Sequence, residues 1–315
     1  MHRIGYLLTE GFQVMAFGTQ TVFEMANVVA REPVYRVTNH SLAGGSVTSS
    51  LGGRVSTDAV TDGTDADTWM ICGVVDPTLQ VVADDELAFL RAASTSSRRV
   101  AGLCTGAFAL GAAGLLAGRR ATTHWAFADA LRARHPDARV EADRIFIADG
   151  AIWTSAGLTA AMDLSLAMVE DDLGRDVANQ VARVLVMHHR RGGGQSQHSE
   201  LLRMAPRSDR VQAALDFARS NLSRPLSVDE LAAAVHLSAR QFSRVFQAET
   251  GTSPAKAIER LRLEAARTMV ERGRHALDTI ARETGFRDRK HLRDAFVRGY
   301  GISPQALRRD ARAAA

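Results

Sequence analysis

The chain has 315 residues, 46% hydrophobic and 23% charged, the balance of a soluble globular protein of about two domains. No apolar run reaches the roughly 18 residues of a membrane helix, and Cys72 and Cys104 belong to no metal-spaced cluster or disulfide framework, so neither metal nor cofactor is implied and a cytoplasmic setting is expected. Residues 1–189 carry 15 Arg against 21 Asp+Glu (net −6), residues 190–209 four Arg against two acids (net +2), and residues 210–315 20 Lys+Arg against 12 Asp+Glu (net +8), which sum to the overall +4; an acidic half followed by a basic half points to nucleic acid as a partner of the second.

The N-terminal MHRIGYLLTEGF lacks a long apolar core and a small-residue cleavage site, so it reads as a first strand and not a signal peptide. Short apolar runs at 4–8, 34–37, 68–72 and 100–103 predict strands. Helical patterns at 19–30, 85–93, 107–116 and 125–134 alternate with them. Such alternation predicts an α/β domain with a largely parallel, flavodoxin-like sheet. Asp149-Gly150 joins residues 145–147 and 151–154 as a hairpin, and helices at 159–173 and 177–188 close the domain. Residues 190–209, RRGGGQSQHSELLRMAPRSD, read as a flexible, solvated linker.

Beyond residue 210 the pattern is all-α. Ser227 with Glu230, and Ser238 with Gln241, form two capping boxes eleven residues apart. A short helix therefore ends near Val235, the chain turns through His236-Leu237, and a new helix starts at Ser238: helix-turn-helix spacing. The unit recurs. Phe246 and Phe296, Gly251 and Gly301, Ser253 and Ser303, and Pro254 and Pro304 pair at an offset of fifty, and Leu237 and Phe286 at forty-nine. A helix from 255 to about 272 connects the copies.

A reading helix needs an apolar face to anchor it and a polar face for the major groove. Phe242, Val245 and Phe246 anchor the first, leaving Arg240, Ser243, Arg244 and Gln247 outward. Leu292, Ala295 and Phe296 anchor the second, leaving Arg289, Lys290, Arg293 and Val297. Arg and Lys pair with guanine edges or phosphates, and two such helices suit groove segments roughly 34 Å apart. With IARETGF, HLRDAF and YGISP, residues 210–309 resemble the DNA-binding domain of the AraC/XylS family of transcription regulators. The resemblance implies base or phosphate contacts at Arg240, Ser243 and Arg244, and at Arg289, Lys290 and Arg293. Asp294 departs from it, standing where that family commonly has a polar donor. The departure implies a weaker second contact, an internal pairing of Asp294, or acceptance from a cytosine amino group.

In the first domain RVAGLCTGAF places Cys104 between an apolar strand and an Ala-rich helix, like a nucleophile elbow. The helix N-terminus is expected to lower the Cys104 pKa, and His124 follows twenty residues later as a possible base. EGF, GLCTGAF, ATTHWAFADAL and DGAIWTSAGLTAAMDL make residues 1–188 resemble the ThiJ/PfpI branch of the class I glutamine-amidotransferase-like superfamily. Fused to an AraC-type domain, and with GGQSQ in the joint, this is the layout of the GlxA family of regulators. Three positions depart from that superfamily. Ala16 replaces its usual acid, Gly18-Thr19-Gln20 its Gly-Pro, and Gly73-Val74 its Gly-Gly oxyanion site. The expectation is a degenerate, non-catalytic elbow whose pocket, lined by Gly73, Val74, Cys104, Thr105, His124 and Trp125, binds an effector, by a carboxylate or other anion at the helix N-terminus, or senses oxidation. The implied partners are double-stranded promoter DNA, a small-molecule effector, a second copy of the chain and RNA polymerase. The alternatives are a cysteine-dependent amidase or hydrolase with a DNA-binding appendage, and a nucleoid protein without sequence preference.

Overall fold

The computed structural model describes residues 1–61, 64–187, 190–197, 199–200, 204, 206–271 and 273–313. They divide into two compact units, Met1–Gln197 and His198–Ala315. The first is built on an eight-stranded sheet of β1 (His2–Leu7), β2 (Tyr35–Ser41), β3 (Gly45–Thr48), β4 (Arg54–Ala59), β5 (Thr68–Cys72), β6 (Arg99–Leu103), β9 (Phe146–Asp149) and β10 (Ile152–Ser155), in the order β3-β4-β2-β1-β5-β6-β10-β9. A separate parallel pair joins β7 (Arg120–Ala121) to β8 (Arg139–Val140). The central ladders are parallel and the two edge ladders, β3-β4 and β9-β10, antiparallel.

Side-chain alternation along the central strands fills two apolar layers, as a sheet covered on both faces requires. Ile4, Tyr6, Met70 and Cys72 join α1 (Met15–Ala30), α5 (Leu158–Leu173) and α6 (Arg175–Val184) in one layer. Leu7, Trp69 and Ile71 join α2 (Asp84–Ser96), α3 (Ala107–Ala112) and α4 (Ala128–Arg134) in the other. Ala16, Thr19, Val22, Phe23 and Ala26 are the buried stripe of α1, and that stripe begins at 16, so the helix starts before the expected residue 19. Near the expected helix at 107–116, α3 closes at Ala112. The expected helix at 125–134 opens with a 3₁₀ turn, Trp125–Phe127. The expected helix at 177–188 starts earlier and stops at Val184, and residue 188 lies outside the described residues.

The predicted strands and the Asp149-Gly150 hairpin are present, but β3, β4, β7 and β8 had no apolar signature. GSVT and RVSTDA form an edge hairpin held by backbone pairing, which local hydropathy does not report.

The joint differs from expectation in its first half. Residues 190–197 pack on the first unit instead of lying in solvent. The Arg191 backbone N–H and Nε donate to the two oxygens of the buried Asp163 carboxylate at 3.0 and 2.7 Å. A Cβ on Gly193 would stand 2.4 Å from the Phe146 carbonyl oxygen. Composition announced flexibility here, whereas this glycine permits close approach.

In the second unit α7 (Asp209–Ser220), capped by Ser208, packs with α8 (Val228–Ala234) and α9 (Ala239–Thr250) around Phe242 and Phe246. α11 (Leu277–Glu283), α12 (Arg289–Tyr300) and α13 (Pro304–Ala313) pack around Phe286, Leu292 and Phe296. The connecting α10 (Pro254–Glu271) serves both cores, with Ala257, Ile258 and Leu261 in the first and Leu263, Ala266 and Val270 in the second.

Candidate functional site

Each turn of the second unit is set by local chemistry. Both predicted capping boxes form, with Ser227 accepting from the Glu230 amide and Ser238 from the Gln241 amide. Asp288 caps α12 by accepting from the His291 amide at 2.7 Å. The turns need one left-handed residue each, supplied by His236 at φ 57° and Gly285 at φ 75°. Gly285 has a second reason, since a Cβ there would lie 1.9 Å from the Leu222 carbonyl oxygen.

On the two reading helices the anchors and the outward residues separate. Phe242 and Phe246, and Leu292, Ala295 and Phe296, are buried. Val245 is half-buried. Arg240, Arg244 and Gln247 on α9, and Arg289, Lys290 and Arg293 on α12, are exposed, and Ser243 is half-buried. Neighbouring cations are committed elsewhere: Arg224 to Glu230, Arg287 to Asp288, Arg298 to Glu259. Among the described residues, no acid pairs with the five cations of the reading faces. Asp294 is exposed and has no cation partner among the described residues.

In the first unit Cys104 follows β6 and opens a 3₁₀ turn (Cys104–Gly106) into α3. Its φ is 53°, a strained conformation for a residue with a Cβ. The turn closes because its neighbours are small. A Cβ on Gly106 would come 2.2 Å from the Ile71 carbonyl oxygen, and one on Gly73 2.1 Å from Thr105 Oγ1. Thr105 Oγ1 donates to the Val74 carbonyl at 2.6 Å, and Thr123 Oγ1 to the Cys104 carbonyl at 2.9 Å. Gly73, Val74, Cys104 and Thr105 are thereby brought together at the C-terminal ends of the neighbouring strands β5 and β6, where ligands bind in parallel sheets.

His124 and Trp125 follow Thr123. A Cβ on Gly157 would sit 3.4 Å from the His124 ring, and Trp125 is 53% exposed. Among the described residues no hydrogen bond joins the Cys104 thiol to His124, and the Thr105 backbone is what it meets. Burial pushes that thiol up to about 11, outweighing the Thr105 backbone hydrogen bond. The expected thiolate is therefore corrected to a neutral thiol: the following helix has only six residues, and the desolvation of a 4%-exposed sulfur residue outweighs its dipole. Ala16 is buried in the core and offers no acid.

Three residues near this site escaped sequence reasoning. Ser155 ends β10 and its Oγ accepts from the Cys104 amide at 3.5 Å. The Gln13 amide N–H donates to the Gly73 carbonyl, and its side-chain Oε1 is buried without a hydrogen-bond partner. Gln197, within the GGQSQ of the joint, bonds the 122–125 loop. Only the last carried a signal, as a polar residue inside a recognisable motif.

Residues 12–171 match the DJ-1/PfpI family and residues 231–310 a helix-turn-helix domain family. The chain is 31% identical over 312 residues, 98% of its length and 96% of the relative's, to the HTH-type transcriptional regulator GlxA of Rhizobium meliloti. It belongs to the GlxA-type family of transcription regulators. The chain is thus an AraC-type regulator with a helix-turn-helix DNA-binding domain and a DJ-1/PfpI domain. An AraC family transcriptional regulator from Pseudomonas putida superposes with a TM-score of 0.54 at 26% identity, covering 59% of this chain and all of that one. An isonitrile hydratase of Pseudomonas putida is 41% identical over 98 residues, 31% of this chain and 42% of the enzyme. No described helix is long and apolar enough to cross a membrane.

Proposed function

We propose that this regulator reads its operator with Arg240, Ser243, Arg244 and Gln247 on α9 and with Arg289, Lys290 and Arg293 on α12, and that its first unit is a non-catalytic sensor of a small molecule. The observation that carries the DNA half is the pair of anchored helices whose outward cations have no acidic partner among the described residues. A cation already paired must break that pair before it meets a phosphate or a guanine; these five need not. The regulator works in the cytoplasm as a homodimer, and RNA polymerase is its partner at the promoter.

The sensor half rests on the elbow. A thiol kept neutral by burial, with no acid beside it and no Cys104–His124 hydrogen bond among the described residues, speaks against an activated nucleophile. The site still has a donor-rich turn, Ser155, the unsatisfied Gln13 oxygen and the rings of His124 and Trp125 with which to hold a ligand. The strained φ of Cys104 favours the hydrolase alternative, and turnover of amides or isonitriles that disappears in Cys104→Ala would establish it.

The test of the DNA half is selection of bound sequences from random duplexes, repeated with Arg244→Ala and Arg293→Ala. A motif in two parts about one helical turn apart, each part degraded by one variant, is expected. Salt-sensitive binding with no motif would leave a non-specific anchor. For the sensor half, DNA binding that shifts with a candidate effector in the wild type and not in Cys104→Ala or His124→Ala is the expected result.

A further inference from the structure

The 190–197 strap crosses the part of the first unit that carries the candidate ligand loop, and its last residue is tied to that loop. Gln197 Nε2 donates to the carbonyl oxygens of Thr123 at 2.8 Å, Ala142 at 2.8 Å and Arg144 at 3.0 Å. Gln197 Oε1 accepts from the Trp125 backbone N–H at 2.8 Å. One amide thus spans the residues on both sides of His124 and a second loop beyond them. Upstream, the Gln195 carbonyl accepts from the Ile145 N–H at 3.1 Å, and Arg144 donates to the Gly194 carbonyl at 2.7 Å. The strap is pinned at its start by Arg191 on Asp163 and Thr159. Gln197 is also where the first unit ends.

We propose that the strap is a wall of the sensory site and that Gln197 is its positioning residue, holding Thr123, His124 and Trp125 in place, so that an occupant of the elbow site and the attachment of the joint act on the same hydrogen bonds. The inference rests on the sensor reading above and adds the regulation of that site. Thr123 also donates to the Cys104 carbonyl, so the elbow, the loop and the strap form one continuous hydrogen-bonded path. A ligand that shifts His124 or Trp125 must strain or release the Gln197 amide. Differential binding to the strapped and released states is what a ligand needs to shift an equilibrium. The physical requirement on residue 197 is specific: it must offer two N–H donors to main-chain carbonyls and accept from an N–H at once, which among side chains only a carboxamide does.

The test compares full-length wild type with Gln197→Ala, Gln197→Glu and Gly193→Ala by amide hydrogen exchange at pH 8, following the Ile145 N–H, whose acceptor Gln195 none of these variants alters. Exchange at Ile145 should accelerate at least tenfold in Gln197→Ala, and further in Gln197→Glu, whose carboxylate faces three carbonyl oxygens. Gly193→Ala, which pushes the strap off Phe146 without touching Gln197, should act in the same direction. Affinity for the duplex recovered by the selection above, at fixed salt and without effector, should shift at least fivefold in Gln197→Ala. Ile145 protection within twofold of wild type would overturn the proposal. So would Gln197→Glu matching wild type, since shape alone would then suffice, or faster exchange with unchanged DNA affinity. These arms contain no effector. A chain whose strap behaves as expected but whose DNA binding answers no effector would sink the sensor reading and leave the strap standing.

Discussion

Replacing Arg244 with alanine separates stability from recognition, because the structure assigns that side chain almost nothing to do within the protein. It is exposed on α9, and the buried face of the same helix is carried by Phe242 and Phe246. The expected change in folding free energy is within about 0.5 kcal/mol, the range of surface substitutions that break no specific feature. On DNA the loss of a contacting guanidinium costs about 1–3 kcal/mol, or roughly 5- to 150-fold in affinity. Arg298→Ala is the matched control: it removes the same charge from an exposed position on the other reading helix, but one held by Glu259 at 2.6 Å. Urea unfolding reads the stability, and fluorescence anisotropy on cognate and scrambled duplexes over a salt series reads both affinities and the salt slope. A base contact weakens cognate binding selectively, whereas a phosphate contact weakens both duplexes and reduces the salt slope by about 1. Equal losses for Arg244→Ala and Arg298→Ala on both duplexes would refute the assignment of α9 as a reading helix.

Three further outcomes follow from the same geometry. Arg99 is 3% exposed and its Nη2 donates to the fully buried Asp172 carboxylate at 2.6 Å, which Arg98 and the Tyr35 hydroxyl also reach, so Arg99→Ala should cost about 3–5 kcal/mol by urea unfolding; a loss below about 1 kcal/mol would show that Arg98 and Tyr35 hold Asp172 unaided. Burial lifts the Glu86 carboxyl from 4.5 to about 7. The unfolded chain releases that proton first, so stability falls as pH rises from about 4.5 to about 7, and Glu86→Gln should stabilise by about 3 kcal/mol at pH 8 and by little at pH 4. An equal gain at both pH values would contradict this. Alkylation of Cys104 by iodoacetamide, followed in Cys72→Ala, should rise about tenfold per pH unit from 7 to 10, as a thiol near 11 requires; a plateau already reached at pH 7 would mean a thiolate.

The site was partly legible in the sequence. Cys104, Thr105, Gly73 and Val74 could be placed together because small residues around a strand-to-helix turn leave a local signature. Gln13 and Ser155 could not, since each meets the site across 50 or more residues of chain, and Gln197, though inside the GGQSQ motif, gave no sign of its partners, because nothing local marks an amide whose partners are distant carbonyls. The α/β alternation likewise announced the central parallel strands, while the polar edge strands β3 and β4 exist only through their pairing.

The sequence by itself determined the two helix-turn-helix copies of the second unit and the helix that connects them. Ser208, Ser227, Ser238 and Asp288 cap four of its helices, Gly251 and Gly301 end both reading helices, and the turns fall where His236 and Gly285 supply positive φ, all interactions spanning a few residues. Tertiary structure alone decided two things in the first unit. It buried Cys104 deeply enough that desolvation outweighs a short helix's dipole, and it turned a Gly-rich stretch into a strap held by Asp163, Phe146 and main-chain carbonyls. Both depend on what surrounds a group in space, which the order of residues along the chain leaves open until the sheet is assembled.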